Sequence, residues 1–232
     1  MKKSTLTLRQ KLKRFIFYVS GTFVLSTSLA VIILGFIPLH SSSFMLHKHL
    51  DDYLAGKEFT EIQQQWRDHE SISPHISHAV IAAEDQRFYQ HHGFDLNAMY
   101  LAIKHRFSGG KLRGASTISQ QVAKNIFLSA SRSLWRKGFE AWFTLLIELF
   151  WSKERILLVY VNIAELGDHL YGVEAASHYY FSHSAKQLSA SQAALLAASL
   201  PNPKIYRVDK PSRQLKDKQT WILKQMRNLG YL

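Results

Sequence analysis

Twenty-five consecutive residues without a charge, FIFYVSGTFVLSTSLAVIILGFIPL from Phe15 to Leu39, constrain this chain more than any other feature. Roughly 20 apolar residues cross the hydrocarbon core of a bilayer, so the run suffices as a transmembrane helix. Its Ser and Thr side chains can bond to the helix's own carbonyls. Lys2, Lys3, Arg9, Lys11, Lys13 and Arg14 precede it with no acid among them. Positive charge of that kind stays in the cytoplasm, so the rest of the chain is expected on the other side. A cleaved signal peptide is the competing reading, with Ser28-Leu29-Ala30 resembling a cleavage site. The apolar run continues well past that site, which favours an uncleaved anchor.

Six of the twelve net positive charges belong to this tail, leaving a modest +6 for the remainder. That balance gives no ground for a nucleic-acid partner. With no cysteine, disulfides and thiolate chemistry are excluded. No other segment reads as a span. Gly138 to Trp151, GFEAWFTLLIELFW, is apolar but short and holds Glu140 and Glu148, so it suits a buried or interfacial helix.

Beyond the span the patterns are helical. Phe44 to Arg67 is loosely helical and polar, a stalk or a packing arm. A helix is expected from Ser73-Pro74, with proline early in its first turn. Others are expected over Leu96 to Phe107, Trp135 to Trp151, Lys153 to Ile163 and Val173 to Tyr180. Ser189 and Gln192 form a capping-box pattern ahead of AALLAASL, which Pro201 stops. Trp221 to Leu229 reads as a last short helix. Alternating strand patterns are scarce, so the expected fold is mainly α.

Two carboxylates stand apart. Glu84 follows AVIAA directly, and apolar surface against a carboxylate raises its pKa toward the range of a general base or acid. A surface Glu-Asp pair at a helix end fits the same spacing. Glu140 lies on a helix expected to be buried nearly all round, with a narrow polar stripe of Arg136, Glu140 and Thr144. A buried Glu needs a partner, and a structural ion pair with Arg136 or Lys137 answers that need as well as a catalytic role does. No metal-ligand spacing and no Walker-type phosphate loop is present.

The stretch RGASTISQQVAKN, residues 113 to 125, carries Ser116, Thr117, Gln120, Gln121, Lys124 and Asn125 on the polar side of a helix, with no acid among them. Ile118, Val122 and Ile126 fill the other side. Hydroxyls, amides and an ammonium donate well to phosphate oxygens, and Arg132, Arg136 and Lys137 follow closely. A pyrophosphate would supply the missing negative charge; a polar face open to solvent is the plainer alternative.

EDQRFYQHHGFD (84–95), RGASTISQQVAKN (113–125), RKGFEA (136–141), KERILLVYVNIAELG (153–167) and GVEAASHYYF (172–181) resemble, in order, the five motifs of the peptidoglycan glycosyltransferases, the glycan-chain polymerases of bacterial walls. The motifs cover most of residues 76 to 203. No transpeptidase sequence follows before Leu232, so a monofunctional member is expected. The resemblance implies a lysozyme-like helical domain with a smaller membrane-dipping part. The expected layout is a basic tail (1–14), a transmembrane helix (15–39), a membrane-proximal segment (40–73) and the glycosyltransferase domain (74–232). It implies a single-pass protein of the bacterial inner membrane, catalytic domain in the periplasm. Its substrates would be lipid II and the lipid-linked glycan strand, and its partners the membrane and other wall-synthesis or division proteins.

By the family pattern Glu84 is the general base that takes the proton of the acceptor's GlcNAc 4-hydroxyl. The oxygen attacks the donor's anomeric carbon with inversion, and undecaprenyl pyrophosphate leaves. Glu140 is the second family carboxylate, acting on the pyrophosphate side directly or through Mg2+ or Mn2+; no covalent cofactor is implied. Such a leaving group needs its growing charge held more than it needs a proton. Ser116, Thr117, Gln120, Gln121, Lys124, Asn125, Arg132, Arg136 and Lys137 would form that cradle. The family's basic residue in the helix after the first motif is replaced by Leu101, with Lys104 and Arg106 a turn further on. Two other functions fit parts of the pattern: a lytic enzyme that cleaves glycan, and a catalytically idle scaffold. The cationic cradle argues against the first, since a sugar leaving group carries no charge. The intact Glu84, Glu140 and Lys124 argue against the second.

Overall fold

The computed structural model describes residues 7–109, 116–129 and 133–232, and they are mainly helical. Helix α1 spans Leu8–Leu34 and opens on a capping box between Thr7 and Gln10. At about 1.5 Å per residue it is roughly 40 Å long, more than a hydrocarbon core needs. It starts earlier than the uncharged run, taking in Arg9 to Arg14, and stops earlier, at Gly35. Pro38 lies just beyond, where a helix would lose a hydrogen bond. Among the described residues it is the one helix long and apolar enough to cross a membrane.

The membrane-proximal segment is a packing arm. Helix α2, Ser43–Leu54, buries Met45 and Asp52. Trp66 joins the same core, and Arg67 exchanges two backbone hydrogen bonds with the side chain of Asn162, at 2.8 and 2.9 Å. Strand β1, Gln63–Gln64, runs parallel to β3, Leu170–Tyr171, which pairs antiparallel with β2, Glu165–Gly167. These strands are too short to leave an alternating pattern, so the sequence did not announce them.

The core gathers around α3, Pro74–Glu84, packed between α9, Ala190–Ser199, and α10, Arg213–Asn228. Alanines 193, 194, 197 and 198 are buried on α9 and let its neighbours approach closely. Helix α10 begins well before Trp221 because Ser212 caps it and Leu215 is buried with Ile222 and Met226. Helices α4, Leu96–Phe107, and α7, Lys153–Ile163, keep the expected ends, each behind a side-chain cap from Asp95 or Ser152. Helices α5, Ile118–Phe127, and α8, Val173–Phe181, complete the set with α6, Leu134–Phe150.

Helix α6 sides with the interfacial of its two expected readings. It is not buried all round: its buried residues are Glu140, Thr144, Leu146 and Ile147. Leu134, Trp135, Phe139, Leu145, Leu149 and Phe150 are exposed instead. On α4, Leu96, Tyr100, Leu101, Ile103 and Phe107 are exposed too. Exposed apolar side chains in such numbers mark surfaces that meet something apolar. Helix α1 lies against α6: Phe23 packs edge-on against Phe139 at 6.1 Å, and Trp142 Nε1 donates to Thr27 Oγ1 at 3.2 Å. Further along, Trp151 Nε1 donates to the Val31 carbonyl, and Arg155, between Trp66 and Trp151, donates to the Leu34 carbonyl at 2.8 Å. The Leu34 carbonyl at the end of α1 thus finds its partner in Arg155, while the Val31 carbonyl accepts from Trp151 as well as from the Gly35 amide of its own helix end.

Candidate active site

Apolar packing of α3 delivers Glu84 at its last residue, half-buried, with Ala79 to Ala82 in the core behind it. The next residue, Asp85, is buried. It accepts hydrogen bonds from His91 Nε2 at 2.9 Å and from the Ile118 backbone N–H at 3.0 Å. Burial pushes the Asp85 carboxyl up, while His91 and the Ile118 amide oppose it. Ile118 opens α5, so Asp85 sits at a helix N-terminus, where a carboxylate is favoured. The contact stitches the first motif to the second and fixes where Glu84 stands relative to α5.

The polar side of α5 divides in two. Thr117 and Gln120 are buried and form a reciprocal capping box, and Thr117 Oγ1 also donates to the Gly93 carbonyl at 2.6 Å. They complete the helix start: hydroxyl and amide at this spacing satisfy the orphan amides of a first turn. Gly93 is needed there. Its φ is +86°, and a Cβ would stand 2.8 Å from Thr144 Cγ2.

Gln121, Lys124 and Asn125 form the open half. Gln121 Nε2 donates to Glu84 Oε2 at 3.0 Å, and Tyr160 Oη donates to Gln121 Oε1 at 3.0 Å. Tyr160 is fully buried, and burial, with Glu84 nearby, raises its phenol well above the ordinary value. It therefore remains a donor at any working pH. All three open residues and Tyr160 line a cavity of about 340 Å³, together with Phe44, Tyr171 and Asn202. Lys124 makes no ion pair or hydrogen bond among the described residues; its ammonium lies 5.2 Å from the Phe44 ring centroid. Burial lowers its pKa, opposed first by the charge of Glu140. On the other side of Glu84, a cavity of about 210 Å³ is lined by Glu84, Arg87, Asp95 and the exposed Ser116. Arg132 lies outside the described residues.

Glu140 is 3% exposed and receives Arg136 Nη1 at 2.8 Å, with Lys137 Nζ in close contact on its other oxygen. The ion pair expected from i,i+3 and i,i+4 spacing is present. The two cations leave a local excess of positive charge beside Lys124. No group of three or more His, Cys, Asp or Glu residues suited to a metal occurs among the described residues. One carboxylate already engaged by two cations does not fit a protein-held Mg2+ or Mn2+. Leu101, Lys104 and Arg106 are all exposed on α4.

Three participants escaped the sequence. Asp85 looked like half of a surface pair. Tyr160 was not singled out, although a buried phenol in an apolar helix needs a partner. Lys218, half-buried on α10, has its pKa lowered by burial, with the charge of Glu84 opposing. Nothing local in RQLKDKQT distinguishes it from its neighbours.

A transglycosylase family model matches residues 52–227. The chain is 50% identical over 223 residues to the biosynthetic peptidoglycan transglycosylase of Chromohalobacter salexigens, covering 96% of this chain and 94% of that protein. It is 53% identical to the protein of that name from Haemophilus influenzae, covering 86% and 82%, and 52% identical to that from Shewanella oneidensis, covering 87% and 85%.

Proposed function

The chain belongs to the transglycosylase family and is a peptidoglycan glycosyltransferase, and we propose that Glu84 is its general base and that Lys124, Arg136 and Lys137 hold the departing pyrophosphate. Glu84 takes the proton of the acceptor's GlcNAc 4-hydroxyl. That oxygen forms the new glycosidic bond at the donor's anomeric carbon as the bond to pyrophosphate breaks, with inversion. The lipid pyrophosphate leaves with the electron pair. Its charge develops beside the half-buried Lys124 ammonium and the Arg136–Lys137 pair, whose positive charge is in place before the bond breaks. Ser116, Asn125 and Arg132 are further donors to the substrates. Glu140 acts by aiming the two cations rather than by touching sugar.

The observation that carries this reading is the position of α5. One helix holds Gln121 against Glu84 and, a turn later, Lys124 between Glu84 and Glu140. Helix α5 thereby ties the base at the end of α3 to the leaving-group cations, Lys124 on α5 itself and Arg136 and Lys137 on α6. The donor is the lipid-linked strand and the acceptor is lipid II. Helix α1 anchors the chain in the inner membrane with the domain in the periplasm, and the apolar exterior of α4 and α6 meets the lipid tails.

The test is polymerisation of labelled lipid II by the full chain in detergent, beside Glu84→Gln. Glycan polymer from the wild type and a loss of at least about a hundredfold in the variant are expected, the scale of general-base removal. Equal activity in both takes the base role away from Glu84.

A further inference from the structure

A cavity of about 600 Å³ lies outside the site just described. It adjoins the cleft that holds Lys124, and Pro203 and Lys204 line both. Its walls come from the packing arm, the β2–β3 turn, the end of α8 and the segment after Pro203. Four cations line it against three carboxylates, Glu61, Asp168 and Asp209. That near balance differs from the acid-free face of α5 and suits an uncharged, hydroxyl-rich ligand better than a phosphate.

The wall is built in advance. Tyr180 Oη donates to the Leu166 carbonyl at 3.0 Å, which fixes its ring. Tyr179 stands perpendicular to it, centroids 4.9 Å apart, and is 63% exposed. An exposed ring on a fixed neighbour offers a flat apolar face, the surface on which a pyranose can lie. Beside it, Arg207 is held in plane by Asp209, with Nε at 3.1 Å and Nη2 at 2.5 Å. At the turn, His169 is buried with φ of +56°, a conformation few non-glycine residues adopt. Asp52 holds it there by accepting from Nε2 at 2.8 Å, and Lys48 ties Asp52 to Asp168. Strain held in place by a network is characteristic of functional sites.

We propose that this cavity is a saccharide subsite that takes the lipid-free part of the growing glycan, with Tyr179 as its platform and Arg207 as its hydroxyl-binding edge. The inference rests on the polymerase reading above. The chemistry sets the direction: the donor's anomeric carbon sits between Glu84 and the cations with its pyrophosphate on the cations, and the older sugars, joined through the 4-oxygen of the same ring, leave to the side. The side of the cleft walled by Asn202, Pro203 and Lys204 opens toward Tyr179. A strand held there stays bound when pyrophosphate leaves, so the subsite acts on chain length more than on the first coupling.

The experiment uses the full chain in detergent, with Tyr179→Ala, Arg207→Gln and the double variant. Both side chains are largely exposed, so folding is preserved. Three quantities are read: the initial rate of coupling two lipid II molecules, the length distribution of polymer, and the affinity for a lipid-free tetrasaccharide of the glycan repeat. We expect first coupling within twofold of wild type, median length reduced at least threefold in the double variant, and tetrasaccharide affinity weakened at least fivefold. Unchanged length with unchanged affinity overturns the subsite. A fall in first coupling as large as the fall in length also overturns it, since the effect is then a general loss of activity. Absence of coupling by the wild type is a failure of the parent reading, and tetrasaccharide binding still decides the subsite.

Discussion

The chain of hydrogen bonds from Tyr160 through Gln121 to Glu84 predicts a specific pattern of kinetics and stability. Gln121→Met keeps the length of the side chain and removes both bonds. The lost bond to Glu84 is to a carboxylate, a class worth about 1.5–3 kcal/mol. If it holds the base in its reactive position, the rate of lipid II coupling falls roughly ten- to a hundredfold. Tyr160→Phe removes only a neutral bond to the Gln121 amide, about 0.5–1.5 kcal/mol, and slows coupling roughly two- to tenfold. Since Tyr160 acts on Glu84 only through Gln121, adding Tyr160→Phe to Gln121→Met changes the rate by less than about twofold. Stability moves the other way. Gln121→Met leaves the phenol of a residue 1% exposed without a partner, a loss of about 1–3 kcal/mol. Tyr160→Phe then removes the orphan hydroxyl, so the double variant melts above the Gln121→Met single variant. Initial rates in detergent and thermal melts of the four proteins complete the cycle. Rates that multiply, or a double variant less stable than both singles, refute the relay.

Gly93→Ala forces a left-handed non-glycine residue, roughly 1–2 kcal/mol, and overpacks Thr144 and Glu148 by roughly 1–3 kcal/mol. Its melting temperature should drop by well over 5 °C, and an unchanged melt rejects that packing account. Glu140→Gln deprives Arg136 and Lys137 of their shared acceptor and should cost about 3 kcal/mol as well as most activity. Lost activity at unchanged stability would place Glu140 on the substrate instead. Lys124→Met should abolish most coupling yet melt higher near neutral pH. Burial lowers the folded-state pKa of Lys124, so between that value and the ordinary lysine range the unfolded chain binds more protons. Wild-type stability therefore gains with rising pH there, and the variant's advantage shrinks as pH passes the lowered value. An advantage that grows with pH contradicts the burial of a charged amine.

Local signals placed what local physics controls. The ends of α4 and α7 were legible because Asp95 and Ser152 cap them within one turn. The Glu140 ion pairs were legible because i,i+3 and i,i+4 neighbours share a helix face. The same logic could not see the capping box of Thr117 and Gln120, since a capping box and a phosphate cradle call for the same hydroxyls and amides, and it is the burial of α5 against Gly93 that shows the box. It left α6 open between buried and interfacial, since an apolar helix with a polar stripe looks alike in both settings. In this chain the stripe points inward.

The sequence by itself determined the long apolar N-terminal helix, the helical class and the family, and it singled out Glu84, Glu140 and Lys124 as candidates, because charge pattern and ordered motifs are properties of the chain. Only the tertiary structure decided that Tyr160 and Gln121 serve Glu84 and that Asp85 fastens α3 to α5. It also decided that α2 and β1 belong to the domain, and that a second cavity continues the cleft past Pro203. Those facts join residues 33 to 117 positions apart. No periodicity in a sequence reports such contacts, because they exist only once burial has brought distant segments to one place.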